Sequence, residues 1–208
     1  SVSVDFNDTY SLDQAYYKIN STGEWIEIFA SCSDKNNNSI FALDTTIWNT
    51  LGEGNHTIFF RIIDDLGNTN TTLITVWSHY KDVTPANHYI VTGNNTYYNS
   101  APTFDVNFED NFELDSLYYK VDEGFWNTIT TEHTGSTYVP DIAFNGTLWS
   151  QLVQGTHTVT FRSIDDAGNE NATNAVAWQF YKDTISPNFT VLSTNDEIFR
   201  FAPTIELQ

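Results

Sequence analysis

Hydrophobic and polar positions alternate in short runs along this chain, and no run carries the three-to-four-residue spacing of a helix of useful length. The clearest run is PTFDVNFE, where Phe104, Val106 and Phe108 alternate with Thr103, Asp105 and Asn107. That period of two predicts a strand with one wet face. LYYKVD (Leu117 to Asp122) follows, and then FWNTIT after the Asp122–Gly124 turn. The segment TYVPDIAFNGTLW reads as irregular, with Pro140 holding its start at an edge. HTVTFRSID places Val159 and Phe161 on one face and Thr158, Thr160 and Arg162 on the other. Ile58 and Phe60 hold the same inward places upstream. A last strand is expected over about Ala172 to Lys182, before the Pro-containing joint DTISPN.

The pattern occurs twice. An offset of 101 maps Arg61 onto Arg162 and carries RIIDDLGN onto RSIDDAGN. It also maps GNHTIFFR onto GTHTVTFR, Lys81-Asp82 onto Lys182-Asp183, and Trp25, Trp48 and Trp77 onto Trp126, Trp149 and Trp178. Upstream the offset is 102, which takes AYYKIN to LYYKVD and SVSVDFNDTYSLD to TFDVNFEDNFELD. One loop residue has been inserted between copies. A repeat of about one hundred residues, built of short strands and turns, has the size of a β-sandwich. We therefore expect an all-β fold of tandem immunoglobulin-like antiparallel β-sandwiches, with an up-and-down barrel as the rival. The expected division is 1–83, 84–184 and the first strands of a third repeat over 185–208. Unit one then lacks its first strand, whose counterpart in copy two is about Asn87 to Thr92. That reads as a window on a longer array or, alternatively, as a vacancy filled by strand exchange between subunits.

YYKV, a Gly-Trp turn and then EGxHTVxFRxxDxAGN carry a resemblance. The residues are Tyr118, Tyr119, Lys120, Trp126, Gly155, His157, Thr158, Phe161, Arg162, Asp165, Gly168 and Asn169, with Tyr16, Tyr17, Lys18, Trp25, Gly54, His56, Thr57, Phe60, Arg61, Asp64, Gly67 and Asn68 in copy one. Together they resemble the prokaryotic extracellular immunoglobulin-like repeats arrayed in surface-layer proteins, adhesins and secreted hydrolases of bacteria and archaea. The resemblance implies a spacer or adhesive module rather than a particular activity, since such folds host many functions.

Charge narrows the partners. Eight Lys and Arg stand against 27 Asp and Glu, a formal net charge of −19. Such a surface repels phosphate backbones and anionic lipid, so nucleic acid and direct membrane insertion are not expected. It suits divalent cations. No apolar run approaches the 18 or more residues of a membrane span. The single cysteine, Cys32, excludes an internal disulfide framework. The chain holds no Met, even at position 1, and reads as a processed product or a piece of something longer.

Five kinds of residue are candidates for chemistry. The DDxGN element predicts a tight turn, with Asp64, Asp65, Asp165 and Asp166 as calcium ligands in the alternative, joined by Asp82 and Asp183 from the linkers. Asp64, Asp65 and Asp82 are expected to converge if a turn meets the linker. Acid-rich loops, Asp5, Asp8 and Asp13 in copy one and Glu109, Asp110, Glu113 and Asp115 in copy two, are further oxygen sources. Catalysis is not expected, because a repeated hairpin tip offers no cleft to raise a carboxylate pKa. Nine sequons begin at Asn7, Asn20, Asn37, Asn55, Asn70, Asn94, Asn145, Asn171 and Asn188; all are expected to face solvent, either as glycan acceptors or as ordinary polar positions. The repeated His56 and His157 read as turn or packing residues, the paired tryptophans as packing rather than sugar platforms. Lys18 and Lys120 are formal candidates for an isopeptide cross-link. No cofactor other than possible calcium is expected. Partners are neighbouring repeats or identical subunits, and the location is the cell surface. The functional expectation is a structural extracellular segment (surface layer, stalk or filament subunit), archaeal by its sequons and acidity. An adhesin or carbohydrate-binding module, with loop Thr131–Thr137 as its recognition site, or an accessory region of a secreted hydrolase, are the alternatives.

Overall fold

The computed structural model describes residues 2–70, 77–172, 177–190 and 200. The first unit contains β1 (Val2–Asn7), β2 (Leu12–Ile19), β3 (Ile26–Phe29), β4 (Asn36–Phe41), α1 (Thr45–Thr50), β5 (Gly54–Asp64) and β6 (Trp77–Lys81). Next come β7 (Asn87–Ile90), β8 (Thr96–Tyr98), β9 (Thr103–Glu109), β10 (Leu114–Val121), β11 (Asn127–Thr130), β12 (Thr137–Tyr138), β13 (Asp141–Ala143), α2 (Gly146–Gln151), β14 (Gly155–Asp165), β15 (Glu170–Asn171) and β16 (Trp178–Lys182). Of the third repeat expected over 185–208, residues 191–199 and 201–208 lie outside the described residues.

The protein is all-β, and each unit packs two sheets face to face. In the second unit one sheet runs β11-β10-β14-β16-β8, with β15 beside β14, and the other runs β12-β9-β13, with β7 also on β9. In the first unit β3-β2-β5-β6 faces the pair β1-β4. Every pairing is antiparallel except β8 with β16, which run parallel. Between the second unit's sheets lie Phe104, Val106 and Phe108 of β9, Leu117, Tyr119 and Val121 of β10, Val159 and Phe161 of β14, and Trp178 and Phe180 of β16. Alternation along each strand puts these side chains on the facing surfaces, as expected from the sequence. The alternation is softer on β14, where Thr160 and Ser163 are buried as well.

The segment read as irregular contains a short helix in each unit. Asp44 Oδ1 accepts from Thr46 and Ile47 N–H, and Asn145 Oδ1 accepts from Leu148 N–H. These side chains satisfy N–H groups that a first turn leaves without partners. Six residues are too few for a helical period to stand out from a strand-rich background. At the other end, Lys182 Nζ donates to the carbonyls of Trp149 and Leu152 at 2.8 and 2.7 Å. Lys81 does the same for Trp48 and Leu51. A buried ammonium thus caps each helix where its dipole is negative.

His88 on β7 is buried, with rings of Phe108 and Phe161 beside it, and its Nδ1 has no hydrogen-bond partner. Burial lowers its pKa from the usual value. The unfolded chain therefore takes up a proton at higher pH than the folded one, so His88 destabilises progressively as pH falls below about 6.5. His88→Phe is expected to hold or raise stability at pH 7 and to lessen the acid-side loss between about pH 6.5 and 5 relative to wild type. Urea titrations at those pH values check it, and a variant with the wild-type slope would refute it.

Candidate cation-binding joint between repeats

Each DDxGN element is a stapled turn. Asp64 Oδ1 accepts from the backbone N–H of Leu66 and Asn68, and Oδ2 accepts from the Asn68 amide at 2.6 Å. Asp165 repeats this with Asn169, at 2.8 Å for the backbone and 3.0 Å for the amide. Gly67 and Gly168 take φ of +81° and +86°, a region open to glycine at little cost. The Asn68 amide leads the hydrogen bonds that hold the Asp64 carboxyl below its usual pKa, which suits neither a general acid nor a general base near neutrality. The second aspartates, Asp65 and Asp166, are exposed.

The two turns differ in surroundings. Asp64 is half-buried and, among the described residues, its carboxylate is bonded within its own turn, whereas Asp165 is 1% exposed. The linker covers it: the Asn169 amide donates to Asp82 O at 3.3 Å, and Tyr80 meets the Phe112 ring edge-on at 5.5 Å. Carboxylate oxygens of Asp82, Asp110 and Asp165 come within 4.8 Å of one another. That spacing is about twice a calcium–oxygen bond of roughly 2.4 Å, so one hard cation can touch all three. With oxygen donors alone the group suits calcium or magnesium over softer metals.

Asp110 is the strained member. Its Oδ2 accepts from Phe112 N–H at 2.7 Å, but Oδ1 is closed off from solvent with no hydrogen-bond donor. Burial pushes its carboxyl above the usual range; the charges of Asp82 and Asp165 push the same way, against the Phe112 N–H. The ion pairs Lys120–Glu123 and Arg162–Glu170 involve none of the three aspartates.

The expected convergence of Asp64, Asp65 and Asp82 is therefore corrected. Asp82 meets the turn of the following repeat, because the linker runs forward from β6 onto that unit's end. Asp166 lines the adjoining cleft of about 780 Å³, with Trp48, His79, Tyr80 and Phe112 among its walls. Asp183 is exposed, and its Oδ1 accepts from Ile185 N–H, as that of Asp82 does from Thr84 N–H. Asp110, one of the oxygen sources expected from the acid-rich loop, belongs to the cluster; it aligns with Asp8, whose Oδ2 accepts from Tyr10 and Ser11 N–H. Thus Asp8 and Asp64 each make on the first unit the turn bonds that Asp110 and Asp165 make on the second.

The remaining candidates are structural. His157 Nδ1 lies 2.7 Å from Asp122 Oδ2 and Nε2 lies 2.9 Å from Val153 O; His56 makes the matching bonds to Asn20 and Gly52. Among the sequons, Asn7, Asn55, Asn70, Asn94, Asn145 and Asn188 are exposed, while Asn20, Asn37 and Asn171 are half-buried. The expectation that all nine face solvent is corrected at those three: the Asn20 amide is bonded to His56, that of Asn37 to Cys32 Sγ and that of Asn171 to Ala86 O. Trp25 and Trp126 are not core residues. Lys18 and Arg61 stack over Trp25, and Lys120 and Arg162 over Trp126. Such stacks of cation and ring occupy the outer sheet face. Lys18 Nζ donates to Ser21 O and Lys120 Nζ to Glu123.

No family model matches the chain, and the curated proteins contain no match. A solved structure described as "Structures of Clostridium thermocellum CbhA fibronectin(III)-like modules" aligns over 91% of this chain and 90% of that one, at 10% identity and a TM-score of 0.36. At that score the likeness carries no weight for function, and the sandwich fold stands on the strand pairing itself. Among the described residues, no helix is long and apolar enough to cross a membrane.

Proposed function

We propose that this chain is a structural segment of an extracellular repeat protein, a spacer whose repeats are locked in line by a divalent cation at each joint. The observation that carries the reading is the Asp82–Asp110–Asp165 cluster, built from the linker of one repeat and two loops of the next. Three carboxylates this close repel one another, and a bound cation turns that repulsion into a clamp on the interdomain angle. Asp8 and Asp64 of the first unit align with Asp110 and Asp165, and Asp183 after the second unit aligns with Asp82, so each half of the device recurs with the repeat. A stalk, filament or surface-layer element needs this stiffness, and the acidic surface with its exposed sequons keeps such an array soluble.

Millimolar calcium is expected to raise the melting temperature, chelator to reverse the rise, and Asp110→Asn to abolish the response while leaving the fold intact. An unchanged melting temperature in calcium would sink the cation clamp. The adhesin reading keeps one supporting observation, the joint cleft with Trp48, Tyr80 and Phe112 on its walls, since aromatic faces stack on sugars. A glycan array separates the two.

A further inference from the structure

Half of the chain's eight Lys and Arg, namely Lys18, Arg61, Lys120 and Arg162, stand on the outer surfaces of the β2–β5 and β10–β14 pairs. Cross-strand register puts Tyr16 opposite Arg61 and Tyr118 opposite Arg162. Each guanidinium lies over two rings: Arg61 at 4.5 Å from Tyr16 and 4.8 Å from Trp25, Arg162 at 4.8 Å from Tyr118 and 5.8 Å from Trp126. Lys18 and Lys120 stand over the same two tryptophans. Rings hold these long side chains in place without neutralising them.

The second unit shows what such a cradle holds. Glu170 of β15 brings Oε1 to 3.4 Å from Arg162 Nε, and Glu123 of the β10–β11 turn brings Oε2 to 3.4 Å from Lys120 Nζ. At the aligned positions the first unit has Thr69 and Ser21, both exposed and uncharged. Among the described residues no carboxylate pairs with Arg61 or Lys18; Glu27, opposite Tyr16 on β3, forms an ion pair with neither. Lys18 Nζ donates to Ser21 O, which leaves two of its three N–H groups for a ligand. Arg61 Nε is shielded from solvent and has no hydrogen-bond partner, so an arriving carboxylate meets the terminal amino groups.

We infer that the Lys18–Trp25–Arg61 face of the first unit binds the carboxylates of an acidic segment of a partner protein, seated where Glu123 and Glu170 sit on the second unit. The aligned occupants are glutamates, so the seat has the reach of a protein carboxylate. Charge complementarity selects the place: a chain of net charge −19 repels an acidic partner over most of its surface and admits it where two cations stand without carboxylate partners. Guanidinium adds direction to that contact, because its planar fork matches a carboxylate. The second unit carries its own glutamates and does not compete, so the chain has one such site. The inference does not use the cation joint. It gives the spacer a point of lateral attachment to another protein.

Titration calorimetry of the whole chain at low salt, with a terminally blocked hexaglutamate as the probe, tests it. Chelator in the buffer keeps metal from bridging carboxylates and separates the outcome from that of the joint. The expected result is one peptide per chain, bound more weakly as salt rises. Thr69→Glu supplies the missing carboxylate from an exposed position. It should weaken binding at least about tenfold while melting is held or raised, and Lys18→Gln and Arg61→Gln should each weaken it as much. Glu123→Ser combined with Glu170→Thr should open the second seat and raise the stoichiometry to two. Absence of binding at low salt overturns the inference, as does binding indifferent to Thr69→Glu or a double variant that still takes one peptide. A polyuronate of equal charge that binds more tightly than hexaglutamate overturns the choice of a protein partner. Self-association of the chain that Thr69→Glu abolishes overturns it in favour of a second copy.

Discussion

Trp178→Ala is expected to destabilise the second repeat by about 3–5 kcal/mol, whereas Trp77→Ala at the aligned position costs the first about 1 kcal/mol. Trp178 is fully buried. It stacks on Phe104 at 4.8 Å and 21° and on Phe180 at 5.1 Å and 28°. Its indole N–H donates to Gly93 O at 2.9 Å. Truncation removes those contacts, opens a cavity between rigid sheets, and strands a carbonyl. Trp77 is 38% exposed and, among the described residues, meets the ring of His79, so water already hydrates part of what truncation removes. Urea unfolding of both variants, resolved by repeat, checks the contrast. Equal losses would mean that the two cores are equally closed in solution.

The second large effect falls on a charge. Lys182→Met should cost about 2–4 kcal/mol and Lys81→Met a similar amount, against under about 1 kcal/mol for Lys120→Met. Lys182 is 7% exposed, and its ammonium is the donor for the two carbonyls at the end of α2, as well as lying 4.9 Å from the centre of the Trp149 ring. Methionine fills the volume but leaves both carbonyls facing an apolar stem, and each hydrogen bond to a charged group is worth about 1.5–3 kcal/mol. Lys120 rests over Trp126 at the surface and pairs with an exposed Glu123, where water replaces what is lost. Thermal melts of the three variants are sufficient. A Lys182→Met protein within about 0.5 kcal/mol of wild type would show that water reaches the helix end.

Much of the architecture is local and was therefore legible. Alternation at Phe104, Val106 and Phe108 named a strand and its inward face, because the pleat allows no other reading of that period. Asp165, Gly168 and Asn169 named a turn, because each does its work within four residues. The helices were missed for the opposite reason: α1 and α2 are six residues long, and their stability comes from Asp44 or Asn145 at one end and a lysine about 30 residues away at the other. Trp25 and Trp126 were read as packing, yet their cations come from a different strand, and sequence position does not say which sheet face a post-turn ring will take.

By itself the sequence determined the repeat, its period, the strands and the stapled turns, since all of these follow from neighbouring residues and from comparing one copy with the other. Tertiary structure alone decided that Trp178 is a core and Trp77 a surface, although they align, and that Asp82 joins Asp110 and Asp165 rather than Asp64 and Asp65. Burial and charge proximity depend on which segment lies on top of a residue. That segment is the repeat's own first strands for Trp178 and the linker for Asp165, so no pattern within the residue's own strand can encode it.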